Sequence, residues 1–132
     1  MRERPVAIVD LLGMKPISMA GGVAVIELEA GPQHANPMGT LHGGVLCDLA
    51  DAAMGVAFAS TLDPDQSFTT LELKINFLRP VWTATLRAEA KVIAKGKTVG
   101  LIDCDIRDER NKLVARSSST CMILKGEQAK GR

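Results

Sequence analysis

Residues 36–51 read N-P-M-G-T-L-H-G-G-V-L-C-D-L-A-D, placing a histidine, two adjacent glycines and two carboxylates at the head of a long apolar segment. Glycine is a poor helix former, so Gly43 and Gly44 call for a reason. At a helix N-terminus the first backbone N–H groups have no intrahelical partner, and the macrodipole is positive there. Without a Cβ at either position a ligand oxygen can reach those donors, which is the chemistry of an oxyanion or phosphate site. A tight turn that merely uses two glycines is the equal alternative. Asp51 weighs against it: a carboxylate among Leu49, Ala50, Ala52, Ala53 and Met54 is costly to bury unless it is paired, hydrogen-bonded or at work on a ligand. Asp48, nearer the polar start, reads as exposed or as stabilising that end of the helix.

Eight residues separate Gly43 from Asp51, which at 1.5 Å per residue is about 12 Å along the helix axis. One chain cannot easily bring both to one reacting atom. Two copies related by a two-fold axis, with these helices side by side and antiparallel, bring Asp51 of one to Gly43 of the other. The spacing therefore predicts composite sites at a dimer interface.

The elements that must hold these groups follow from periodicity. P-V-A-I-V-D-L-L, residues 5–12, reads as a short amphipathic helix with Pro5 in its first turn and Gly13 at its C-terminal cap. Residues 22–29 read as a strand ended by Gly31 and Pro32, followed by a polar loop over 33–41 in which His34 is expected to be exposed and inert. Gly43 to Thr61 is a helix of about five turns, apolar nearly all the way round and so buried on most sides. T-L-E-L-K-I-N-F, residues 70–77, alternates with Leu71, Leu73, Ile75 and Phe77 on one face and Thr70, Glu72, Lys74 and Asn76 on the other. Further strands are predicted over 83–93, 98–107 and 113–124, joined by turns at K-G-K, 95–97, and E-R-N-K, 109–112. The class is α+β: an antiparallel sheet packed on one central helix.

At 132 residues the chain is read as one domain over 1–132, able to bury about two-thirds of its unfolded surface. Sixteen Lys and Arg against fifteen Asp and Glu leave a net charge of +1, no footprint for a nucleic-acid or membrane-surface binder, so an anionic ligand must be met by a local cluster. The start lacks the apolar run of a signal peptide, which makes a cytoplasmic protein the default. Cys47, Cys104 and Cys121 have no metal-ligand or C-x-x-C spacing and read as small core residues, with no metal site implied. Apolar residues reach 46% and aromatics 3%, so the core must be aliphatic, and that excess of aliphatic surface favours an oligomer.

Asn36, Gly39, His42, Gly43, Gly44, Leu49 and Asp51 match the pattern N-x-x-G-x-x-H-G-G-x-x-x-x-L-x-[DE] at every position. In this the chain resembles the hot-dog fold thioesterases, specifically the phenylacetate-pathway and 4-hydroxybenzoyl-CoA thioesterase group, over about residues 20–124. The resemblance implies a sheet wrapped around the long helix, a homodimer with one continuous sheet as the minimum unit, and a dimer of dimers. It implies an acyl-CoA substrate hydrolysed to acid and CoA without metal or prosthetic group. Under it the Gly43 N–H polarises the thioester carbonyl, Asp51 of the partner is nucleophile or general base, and Asn36 helps to place the carbonyl or water. His42 is assigned to orienting the loop ahead of proton transfer, and Thr70, or Thr69 beside it, takes the position where some members hold water with a serine. Gly44 joins the substrate-binding set, and Arg79, Lys95, Lys97 and Arg116 are the candidates for the CoA phosphates. The run Ser117 to Thr120 could hydrogen-bond the pantetheine or simply be a polar face. A hydratase of enoyl or 3-hydroxyacyl thioesters would need a His with an acidic partner in another spacing, and an acyl-CoA sensor would be expected to carry a partner domain.

Overall fold

The structure is a computed structural model that describes residues 6–131, so Pro5 of the first helix lies outside the described residues. The helix itself, α1, runs Ala7–Leu12 and is closed by Gly13 at φ +80°, whose N–H donates to Asp10 and Val9 carbonyls. Strands β1 (Met14–Ala20) and β2 (Val23–Ala30) follow, then one turn of 3-10 helix at Pro32–His34 and the long helix α2 (Gly43–Ala59). The chain continues with β3 (Gln66–Phe77), β4 (Ala84–Lys95), β5 (Val99–Arg107) and β6 (Leu113–Lys125). All pairings are antiparallel in one six-stranded sheet of order β1-β2-β4-β5-β6-β3. One helix lies across it, the arrangement the resemblance implied.

β1 was not legible as a strand. Pro16 and the lack of clean alternation over Met14–Ala20 conceal it, and Pro16 is tolerated because β1 is an edge strand. The signal that could have found it is Gly21-Gly22: both have positive φ, +57° and +87°, as the two central residues of a type I′ hairpin turn require.

The core lies between α2 and the inner face of the sheet. Leu46, Leu49, Ala50, Ala53, Met54, Ala57 and Phe58 form its helical stripe, against Ile26, Leu28, Leu86, Ala88, Ala90, Ile102 and Ile106 from the strands. Alanines at facing positions let the helix approach closely, and each fully buried Leu, Ile or Phe contributes about 1.5–3 kcal/mol. The helix is nevertheless not buried on all sides. Asp48, Asp51 and Ala59 are exposed and Gly44, Ala52 and Gly55 half-buried, leaving one flank of α2 open in the protomer.

The even alternation expected over 70–77 is broken by a bulge. Thr70 pairs with Cys121 and Glu72 with Thr120, so Leu71 is the extra residue and points away, half exposed. Thr70 thereby joins Leu73, Ile75 and Phe77 on the face toward α2, and is not on the polar face with Glu72, Lys74 and Asn76. Thr69 pairs with Met122 and faces the other way, which leaves Thr70 as the hydroxyl on the helix side.

Candidate active site

The loop before α2 is built by hydrogen bonds from Asn36. Its Oδ1 accepts from the N–H groups of Met38 (2.9 Å) and Thr40 (3.2 Å), and its Nδ2 donates to Thr40 Oγ1 (2.7 Å). Gly39 at φ +89° makes the reversal, and an Ala35–Leu41 bridge closes it. The Asn36 side-chain oxygen is thus spent on the loop, and one Nδ2 hydrogen remains for anything else.

His34 is buried, 4% exposed, contrary to its expected exposure. Its Nδ1 accepts from the Gly31 N–H (3.2 Å) and its Nε2 donates to the Leu12 carbonyl (2.8 Å), tying the end of α1 to the loop. Its carbonyl accepts the His42 N–H (2.9 Å), while the Leu41 N–H donates to the Val81 carbonyl (2.6 Å). The start of α2 is therefore fixed both to this loop and to the segment after β3.

His42 is the N-cap of α2: its Nδ1 accepts the Gly44 N–H at 2.9 Å. Two consequences follow for the expected roles. The Gly44 N–H is occupied by this cap within the protomer. The Nδ1 of His42 is engaged in capping, which leaves the proton on Nε2. The glycine at 44 is explained by the same contact, since a Cβ there would stand 2.9 Å from His42 Nδ1. His42→Ala is expected to cost about 1 kcal/mol of stability, as loss of a cap does. His42→Asn, another good capper, should restore both thermal stability and turnover; recovered stability without recovered kcat would show that the imidazole moves a proton.

The Gly43 N–H, the next donor at this end, has no acceptor among the described residues. Gly43 lines a groove of about 450 Å³ with Leu41, Leu46, Phe77, Leu78, Arg79, Pro80 and Val81. The Phe77 ring lies against Gly43, 3.0–3.4 Å from where a Cβ would stand. A preorganised, unpartnered N–H at the positive end of a helix, walled by apolar side chains, is suited to a developing oxyanion.

Asp51 is exposed on the open flank of α2, not buried within the protomer, because the sheet covers only the opposite stripe. Partial burial, and behind it the charge of Asp48, still hold its carboxyl above the usual carboxylate range. Thr70 stands nearby: its Oγ1 is 3.7 Å from Cys121 Sγ, and burial pushes the Cys121 thiol up with the charge of Asp51 adding to the rise. Asp51, Thr70 and Cys121 therefore share one flank of α2, while Gly43 lies about 12 Å away along the axis.

The four basic candidates do not gather within the protomer. Arg79 lines the Gly43 groove. Lys95 donates to the Thr61 carbonyl (2.5 Å) just beyond the other end of α2, and Lys97 shares its turn, about 25 Å from Gly43 over a 17-residue helix. Arg116 is on the outer face, since its neighbours Ala115 and Ser117 point inward, and its fork is filled by Asp105 at 2.8 and 3.1 Å. That pairing holds the Asp105 carboxyl below the usual range. Within the protomer Arg116 is thus paired with Asp105 and stands apart from the Gly43 groove. The serine run splits by strand alternation: Ser117 and Ser119 are buried inward, with Ser117 Oγ donating to the Lys74 carbonyl, while Thr120 Oγ1 donates outward to Glu72 Oε1. Periodicity alone marks Phe77 only as a strand residue; its place at the end of β3, just ahead of L-R-P, is the signal that it borders a connection rather than the core.

Residues 38–115 match the thioesterase superfamily. The acyl-coenzyme A thioesterase PaaI of Escherichia coli is 36% identical over 105 residues, covering 79% of this chain and 73% of its own length. The 1,4-dihydroxy-2-naphthoyl-CoA hydrolase of Listeria monocytogenes is 32% identical over 116 residues, 88% of this chain and 94% of its own. The structure of the E. coli PaaI protein superposes with a TM-score of 0.86 at 33% identity, covering 92% of this chain and 86% of that one.

Proposed function

The chain belongs to the thioesterase superfamily and has its hot-dog arrangement, and from that membership we propose how it hydrolyses an acyl-CoA thioester to a carboxylic acid and CoA. The thioester carbonyl oxygen accepts from the Gly43 N–H at the head of α2. A water held by Thr70 and Asp51 of the partner adds to the carbonyl carbon, its proton passing to the Asp51 carboxylate. The C–S bond then breaks, and CoA leaves as the thiolate or, on taking that proton, as the thiol. The raised pKa of Asp51 supports the general-base role, because a stronger base near its working pH transfers protons more effectively. The helix amide supplies the charge stabilisation, so the scheme calls for no metal or prosthetic group. The observation that carries the reading is the unpartnered amide of Gly43, a residue lining an apolar groove at the head of α2.

The dimer is part of the proposal. The outer edge of β3 is unpaired among the described residues, and the open flank of α2 carries Gly44, Ala52, Gly55 and Ala59 beside Asp51, small enough for a second helix to approach. With the helices antiparallel and Asp51 beside the partner's Gly43, the Lys95–Lys97 end extends about 12 Å further and can meet the CoA phosphates. Exposed Ile93, Val99 and Leu101 on the outer sheet face offer the seam between dimers.

Release of free thiol from a panel of acyl-CoAs by the native protein tests the activity; acyl-CoA binding with no thiol released counts against it. Thr70→Val is expected to lower kcat about ten-fold with KM little changed, while Thr70→Ser keeps most turnover. Equal losses in both variants in steady-state kinetics would remove the hydroxyl from the mechanism.

A further inference from the structure

The Phe77 ring is 54% exposed, yet it packs on Gly43, 3.0–3.4 Å from where a Cβ would stand, and lines the same groove. With a carbonyl oxygen on the Gly43 N–H and one of its two substituents laid in this groove, that substituent lies alongside the ring. The walls there are Leu41, Leu46, Leu78 and Val81, and Arg79 is the one side chain among the lining residues that can hydrogen-bond. The pantetheine arm carries two amides that would go unpaired against such walls, at a cost in free energy, whereas an acyl chain has none to satisfy. The volume, about 450 Å³, falls in the range of small-molecule sites. We propose that this groove receives the acyl group and that Phe77 is its specificity-determining residue, its ring edge limiting the width tolerated next to the thioester carbonyl. The inference rests on the reading of Gly43 as the oxyanion donor.

Width at that point is a matter of branching. A straight-chain acyl group passes the ring edge, while an α-branched or aryl group meets it. Phe77→Ala is expected to raise kcat/KM for α-branched and benzoyl-type CoA esters relative to straight-chain ones by about ten-fold, the scale on which a hydrophobic pocket discriminates small changes of shape. Phe77→Trp should shift the ratio the other way, and Phe77→Leu should fall between. Because the side chain is half exposed, none of these variants needs to repack the core, and a thermal melt of each verifies the fold.

The same three variants are also compared for affinity toward non-hydrolysable analogues in which a methylene replaces the thioester sulfur, by calorimetric titration. A reordering of affinities by acyl width supports the proposal even without turnover. Affinity and kcat/KM that move by one common factor across the whole panel, or do not move, overturn it. A native protein that binds the analogues with the expected width dependence but hydrolyses no acyl-CoA would instead overturn the proposed reaction and leave the acyl groove in place.

Discussion

Asp51→Asn is expected to lower kcat for acyl-CoA hydrolysis by roughly 10²–10⁴-fold, the usual contribution of a positioned general base. KM and thermal stability should change little, since Asp51 is exposed in the protomer and makes no side-chain hydrogen bond or ion pair among the described residues. The isosteric amide keeps the shape and removes the base. The native pH profile should show an acid limb above the ordinary carboxylate range, because burial and Asp48 raise the Asp51 pKa and activity is lost as the carboxylate protonates. Asp48→Asn removes one of those causes and should move that limb to lower pH. A limb unmoved by Asp48→Asn, or turnover unaffected by Asp51→Asn, would take the acid out of the mechanism.

Mixing makes the composite character of the site measurable. Asp51→Asn and Gly43→Val proteins, each inactive alone, should recover activity when mixed and allowed to exchange subunits. In a heterodimer one site carries both lesions and the other carries neither. Absence of recovery, with exchange demonstrated by mass, would mean that Gly43 and Asp51 do not meet across two chains.

The largest stability effect is expected at a glycine far from the chemistry. Gly100 is buried on β5, and a Cβ there would stand 2.3 Å from Phe58 of α2, well inside contact. Phe58 has no room to yield: it is 0% exposed and packs edge-on against Phe68, with centroids 5.6 Å apart at 81°. Gly100→Ala is therefore expected to cost about 3 kcal/mol, the upper part of the range for overpacking. In a thermal melt that corresponds to a loss on the order of 10 °C. Adding Phe58→Leu should make Gly100→Ala less costly than it is in the native background, a coupling that a double-mutant cycle reads directly. Purely additive effects would mean that the ring and the new methyl do not collide.

This glycine illustrates where sequence reading stops. Gly100 lies inside a strand and has an ordinary backbone conformation, so no turn signal marks it; only the packing of α2 over β5 gives it a purpose. Gly21 and Gly22, by contrast, adopt positive φ, and their adjacency is a local hairpin signal that could have revealed β1. Gly43 and Gly44 fall between these cases. Their place at a helix start was legible, but the contacts that require them, Phe77 for one and His42 for the other, come from the folded chain.

What the residues determined on their own is local and periodic. The inward alanines and leucine of β4, the turns at 95–97 and 109–112, the long helix and the spacing of His42, Gly43, Gly44 and Asp51 follow from repeats of two or 3.6 residues and from backbone preferences acting over a few positions. Tertiary structure decided the rest. A bulge at Leu71 turned Thr70 toward the helix, and one pairing sequestered Arg116 on the outer face. His34 was buried by contacts to Leu12 and Gly31, and the open flank left Asp51 unburied in its own protomer. Each of these depends on which distant residue arrives opposite, and a side chain's own neighbours along the chain carry no information about that partner.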